Sequence, residues 1–522
     1  MANNNKIPNK NSNETLNEPY SSKKKIMFVL PNHRWATTEE NPTLWLIWPT
    51  QLCLIAAQIE DKYNIKIIDC IIDNLTEKEF EEIVRKENPD VVGVSNFTNE
   101  YSKAGHRAVD IAKSVNPSIV TIMGGVYVIS SPELAISNKN VDYAIRGEAE
   151  ILFKEFLEYL YEGKELPKKG ILYRKDGKVI VSPRADFIQD LDSLKYPAYH
   201  LVDFLKYANR YSRESVGRPR ELPYGSVTMT RGCPIGCTFC QVGHISGSHT
   251  RYRSAEHFVG ELEMLKNKYG IKFFSFDDDN LFTNRNKAKE MLRLIIKKRL
   301  NIRWLMNGSA VFCMDDEAIE LCKESGCVYL NIAVESGSPR VLKEIIKKPL
   351  DLEQTKLMLN KMKKEGIATA VNFIIGNPGE TWDEIRQTIK YAEDCGADYV
   401  KFFIATPLPN TKMYDMAKKM GYLPEDIDFA KHYWSSGSFN TPHWRGNDLT
   451  MLRAYEWDRV NFSSPEKKKK IIEMMGITEE RLDEIRKNTL RRANPDETTK
   501  DKSLLSVTRY YTTKKSELNE TV

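Results

Sequence analysis

Two series of short apolar runs, each broken by amphipathic stretches, limit what this chain can fold into. From Lys24 the runs are KIMFVLP, NIKIIDCII, DVVGVSNF, SIVTIMGG and VDYAIRG, with helical patterns over 51–61, 77–86 and 103–114 between them. Runs without polar alternation are strands buried on both faces, and strands alternating with helices imply a doubly wound, Rossmann-like α/β domain over 23–162. Its ligands belong at the carboxyl ends of the strands.

The second series is SVTMT, KFFSFDDD, RWLMNGS, VYLNIAVE, ATAVNFIIG and YVKFFIATP, with helices over 255–269, 285–298, 316–325 and 382–394. Strand–helix units repeated in this way predict a partial (β/α)6 barrel over 223–420, whose reactive end is again the carboxyl end of its strands. Between the two lies an expected linker subdomain, 163–222, with a hairpin in GILYRKDGKVIVS turning at Asp176-Gly177. A helical and aromatic extension is expected over 421–493, and flexible tails over 1–22 and 494–522.

A chain of 522 residues, 41% hydrophobic, holds two or three such cores. A net charge of +5 against 77 basic and 72 acidic side chains gives no electrostatic case for nucleic acid as partner. The longest apolar stretch, 44–59, is interrupted by Pro49, Thr50 and Gln51 and is too short for a bilayer span. The N-terminus is polar with no apolar signal core, so a cytoplasmic location is expected, with peripheral membrane contact left open by Trp45 and Trp48.

Nine cysteines, an odd number with Cys233, Cys237 and Cys240 crowded into TMTRGCPIGCTFCQVG, read as metal ligands rather than a disulfide framework. The CxxxCxxC spacing brings their thiolates together from one loop, directly after the first barrel strand. A cubane iron–sulfur cluster takes four ligands, so this loop leaves one iron open. The alternative is a zinc site completed by His244. Position favours the cluster, because the loop caps a strand of a large core at the end where catalytic loops stand.

With Phe239 before the last cysteine, this segment resembles the signature of the radical S-adenosylmethionine (radical SAM) superfamily. The resemblance covers about 225–420 and implies a 4Fe-4S cluster whose open iron is chelated by S-adenosylmethionine. It also implies an electron donor of flavodoxin or ferredoxin type and a 5′-deoxyadenosyl radical that takes a hydrogen atom from substrate. By the same resemblance Asp277 and Asp279, in the run Asp277 to Asn280, meet the methionine amino group, although such a run also caps helices. Glu335 and Ser336 meet the carboxylate or ribose, and Gly376 and Gly379 in GNPGET admit the adenine, unless they only form a tight turn.

Residues 24–160 resemble the cobalamin-binding domain that precedes the barrel in one branch of that superfamily. Gly124 and Gly125 in IMGGVY and Gly147 and Glu148 in AIRGEAE carry the likeness. The chain lacks the DxHxxG sequence whose histidine ligates cobalt elsewhere; His106 lies in a helix, and Tyr127 stands where many members have histidine. Bound cobalamin implies a methyltransferase that moves a methyl group from methylcobalamin to an unactivated carbon. The alternatives are a radical cyclase or carbon–carbon bond-forming enzyme without methyl transfer, and a zinc-stabilised binding protein. The absence of a charged recognition patch leans the expected substrate toward a lipid or other hydrophobic metabolite; the aromatic segment 433–444 lines an apolar pocket or simply packs.

Overall fold

A computed structural model describes residues 23–36, 48–209, 216–217, 221–425, 427 and 435–493. The expected tails, Trp45 and the start of the aromatic segment at Tyr433 lie outside these residues.

The front domain is built on β1 (Lys25–Leu30), β2 (Asn64–Asp69), β3 (Val91–Ser95), β4 (Val120–Gly124) and β5 (Tyr143–Ile145), parallel in the order β2-β1-β3-β4-β5. Along β1, Met27 and Val29 join one apolar cluster while Ile26, Phe28 and Leu30 join another, so each sheet face carries its own core. Thr76 and Glu79 close a capping box that fixes the start of the helix Glu77–Glu87.

The hairpin forms as β6 (Ile171–Lys175) and β7 (Lys178–Val181), but not in a separate linker unit. Ile145 pairs with Ile171 and Tyr143 with Tyr173, so the hairpin extends the front sheet antiparallel beyond β5. Ile171 and Leu172 are buried in the two front cores, and this burial decides the docking.

In the second domain β8 (Tyr224–Val227) is followed by a short antiparallel pair, β9 (Thr230–Arg231) and β10 (Arg251–Tyr252). Then come β11 (Phe273–Phe276), β12 (Arg303–Ser309), β13 (Cys327–Glu335), β14 (Ala368–Ile375) and β15 (Tyr399–Ile404). With β8 they make a six-stranded sheet, β8-β11-β12-β13-β14-β15, parallel throughout, which is the partial barrel expected. Phe274, Phe276, Trp304 and Met306 face the surrounding helices, and Phe273, Leu305 and Tyr329 face the interior.

The edge strand β15 is covered by the helix Gly446–Asn461. Asn461 accepts from the Val400 amide at 2.8 Å and donates to its carbonyl at 2.9 Å, satisfying backbone that an open edge would leave bare.

Candidate active site

The carboxyl ends of both sheets face a shared cavity of about 960 Å³. Ser95, Gly125 and Gly147 line it from the front domain, and Ser226, Asp277 and Asn331 from the barrel. Its size lies at the upper end of small-molecule sites.

The cysteine loop leaves β9 at the rim of the barrel. Asp278, buried, accepts from the Met229 amide at 2.9 Å, the Thr230 amide at 2.5 Å and the Thr230 hydroxyl at 2.8 Å. Asp279 accepts from the Gly232 amide at 2.7 Å. At the far side of the loop, Thr238 donates through its amide to Ile346 and through its hydroxyl to Ile345, both at the end of a π-helical turn, Val341–Ile346. The acidic run thus anchors the loop that carries the cysteines. Burial pushes Asp278 up to about 7, and its second oxygen has no partner among the described residues.

Cys233, Cys237 and Cys240 are all half-buried and unbridged, and act electrostatically on one another. Asn280 donates to the Cys233 sulfur at 3.8 Å and the Val242 amide to the Cys240 sulfur at 3.4 Å. Burial pushes the Cys237 thiol up to about 12 and that of Cys240 to about 11, so by themselves these groups stay protonated. A bound cation is what would make such thiols thiolates. Among the described residues no three His, Cys, Asp or Glu side chains converge on a single-ion site. His244 turns away, its Nε2 lying 3.3 Å from the Ile129 carbonyl, so the zinc arrangement with His244 is not formed. The donor set, all thiol and with N–H groups aimed at sulfur, fits an iron–sulfur cluster.

The other expected binding residues divide. Asp277 and Asp279 line the cavity, Asp277 accepting from Ser226 at 2.5 Å and Ser275 at 2.6 Å. Glu335, with φ +76°, is buried and paired with the equally buried Lys348 at 3.1 Å, and both charges act on Cys237. Ser336 is fully buried, and its hydroxyl is held at 3.0 Å from Thr388 and accepts from the Ser338 amide; its side chain packs against the helix Trp382–Asp394 and not into the cavity. At Gly376, φ +78° favours glycine, and an added Cβ would also press on the Leu449 Cδ1 methyl of the C-terminal extension. Gly379 presents its carbonyl to Arg340 at 2.9 Å.

In the front domain Gly125, φ +96°, passes so close to the Asn96 carbonyl that a Cβ would collide with it, and its bare backbone lines the cavity. Gly124 accepts from the Asn96 amide at 2.9 Å, with open space where a Cβ would stand. His106 lies 3.2 Å from the Tyr127 hydroxyl, joining the histidine in the helix to the tyrosine of IMGGVY. His33, just past β1, escaped the sequence reading: it is buried, stacked on Tyr101 at 3.3 Å, and pushed down to about 3 by burial. His33 Nδ1, Asn96 Oδ1 and Thr98 Oγ1 are buried without partners among the described residues at the carboxyl ends of β1 and β3. His33, Asn96 and Thr98 are not among the residues that line the cavity; its size and the glycine backbone that Gly125 and Gly147 present to it fit a bulky cofactor such as a corrin.

The two domains are riveted beside the cysteine loop. Glu148 accepts from both terminal nitrogens of Arg251 at 2.8 Å, from Arg231 at 3.1 Å and from the Ile188 amide at 2.7 Å, while Arg231 also reaches Glu150 at 2.6 Å. Burial pushes the Glu148 carboxyl up, but the Arg251 hydrogen bond and the charges of Arg231 and Arg251 outweigh it and hold it below its usual range.

Residues 227–392 match the family model of the Radical SAM superfamily, and residues 47–157 that of the B12 binding domain. Over 397 residues the chain is 34% identical to the uncharacterized methyltransferase PH0819 of Pyrococcus horikoshii, spanning 75% of this chain and 83% of that one. It is 29% identical over 461 residues to cytidylyl-2-hydroxyethylphosphonate methyltransferase of Streptomyces wedmorensis, spanning 78% and 85% respectively. Its fold is similar to that of TsrM from Kitasatospora setae, a radical S-adenosylmethionine methyltransferase solved with cobalamin and a 4Fe-4S cluster. The TM-score is 0.62 at 19% identity, over 77% of this chain and 76% of that one.

Proposed function

This chain belongs to the radical SAM superfamily, in the branch that carries a B12-binding domain ahead of the barrel, and from that premise we propose that it methylates an unactivated carbon of a small organic substrate in the cavity between its two domains. The observation that carries this reading is the meeting of both sheets' carboxyl ends on one cavity with the cysteine loop at its rim. Direct transfer of a group between two cofactors requires that closeness.

Cys233, Cys237 and Cys240 would hold the 4Fe-4S cluster, and Ser95 with the backbone of Gly125 and Gly147 on the cavity wall would hold cobalamin. When bound, these groups supply reductive cleavage of S-adenosylmethionine and donation of the methyl group. Asp278 and Asp279 position the cysteine loop through its amides. Asp277 and Asp279 supply carboxylates on the cavity wall for an ammonium group. The buried Lys348 places a positive charge near Cys237, where an anionic group or cluster is favoured. Tyr224, Tyr399 and Trp457 give the cavity apolar walls that limit water around a reactive intermediate.

The chemistry needs a reductant, which we assign to a flavodoxin- or ferredoxin-type protein. Among the described residues no helix is long and apolar enough to cross a membrane. All nine cysteines are free, which suits a reducing compartment such as the cytoplasm.

The reading is tested with anaerobically reconstituted enzyme, a low-potential reductant and S-adenosylmethionine. Substituting Ala for Cys233, Cys237 or Cys240 should abolish 5′-deoxyadenosine formation, whereas Cys322→Ala, in the barrel's outer core, should keep it. Deoxyadenosine from the triple variant would refute the cluster assignment.

A further inference from the structure

The interior of a (β/α) barrel is ordinarily filled by layers of branched apolar side chains. Here one layer keeps that rule: Tyr224, Phe273, Leu305, Tyr329, Ala370 and Tyr399, one from each strand, form an apolar floor. Side chains two residues apart on a strand share a face. Two residues beyond each floor residue, toward the carboxyl end, stand Ser226, Ser275, Asn307, Asn331, Asn372 and Lys401. Every strand therefore contributes a polar side chain to the layer above the floor, and all of these except Asn372 line the cavity.

The layer is only partly satisfied. Ser226 and Ser275 donate to Asp277, and Asn307 donates to the Gly217 carbonyl at 3.2 Å. Asn331, 5% exposed, has a side-chain oxygen without a partner among the described residues, and so does Asn372. Buried acceptors left unmet are costly, and a hydrocarbon pressed onto them would fix that cost in place. A substrate that settles against this layer must therefore bring hydrogen bonds of its own.

On the reading of this cavity as the substrate chamber, we infer that the substrate is a water-soluble, hydroxyl- or amide-bearing molecule that enters the barrel polar end first and hydrogen-bonds this lining layer, donating to Asn331. This departs from the lipid or hydrophobic metabolite expected from the absence of a charged recognition patch in the sequence. The aromatic side chains are present, but they form the walls and the floor, whereas the level a substrate reaches first above that floor is polar.

The experiment uses the reconstituted holoenzyme and methyl-labelled S-adenosylmethionine with a metabolite extract of the source cells, split into chloroform and methanol–water phases. Label should enter new compounds of the methanol–water phase, resolved from S-adenosylmethionine by chromatography, and Asn331→Leu should lower that incorporation about tenfold or more while the cluster's visible absorbance persists. Label recovered in the chloroform phase, or full incorporation by Asn331→Leu, overturns the inference. Failure of the underlying enzyme reading shows itself separately, as loss of deoxyadenosine from the wild-type protein.

Discussion

Glu148→Ala should loosen the joint between the two domains, because its carboxylate is the meeting point of Arg231 and Arg251. The side chains of Glu148 and Arg251 are 9% and 8% exposed, so the pair is desolvated, and Arg251 would keep the Ile188 and Ser246 carbonyls and the Phe187 ring but lose its carboxylate partner. Removing one partner of a buried pair costs about 3–5 kcal/mol, against about 0–1 kcal/mol for a pair on the surface. With a urea dependence of about 3 kcal/mol per molar, the unfolding midpoint should fall by about 1 M or more. Tryptophan fluorescence during urea unfolding of the anaerobic protein follows the change. Glu148→Ala combined with Arg251→Met should lose less than the sum of the single losses, since the stranded cation is gone as well. The Glu148 contribution is present above its unfolded pKa and is lost as pH falls through the lowered folded value, below 4.5, so the two proteins should converge on acidification. A midpoint shift under about 0.3 M at neutral pH, the size expected of a surface pair, would refute the reasoning.

Glu380, wholly buried and pushed up to about 7 by burial, holds the Asn377 amide in the turn after β14. Its folded pKa is raised, so the folded state binds the extra proton, and wild-type stability should decline as pH rises from about 4.5 toward about 7. Glu380→Gln should remove that component, and melting temperatures of the two proteins measured across this range should diverge. Gly376→Ala combines a positive φ with overlap onto Leu449 and should destabilise the barrel by more than about 1 kcal/mol. Shortening the neighbour with Leu449→Ala should relieve the overlap but not the backbone strain, so the double variant should recover only in part relative to Leu449→Ala alone.

Much of the architecture was legible because the strands are continuous apolar runs, and runs such as DVVGVS have no other economical burial than between two helical layers. The cysteine spacing, likewise, is local and places its residues on one loop. What escaped depends on partners distant in the chain. Glu148 meets Arg231 and Arg251 across 83 and 103 positions, and no pattern along the sequence connects them. The hairpin joined the front sheet because Ile171 could bury beside β5, a choice that local turn chemistry does not express. Ser336 was placed by its neighbours in ESGS, yet the turn there rotates its hydroxyl onto Thr388. The polar layer did leave a trace: Asn331, Asn372 and Lys401 each stand within a mostly apolar strand, and polar residues at the same depth of several barrel strands are a legible signature of a polar layer.

The most direct measurement is iron, zinc and corrin content of protein prepared without oxygen from cells supplied with cobalamin, in the wild type and in Cys237→Ala. About four iron per chain with stoichiometric corrin, and loss of the iron but not of the corrin in the variant, is the expected result. Zinc in place of iron, or iron retained in the variant, would contradict a radical enzyme built on these cysteines.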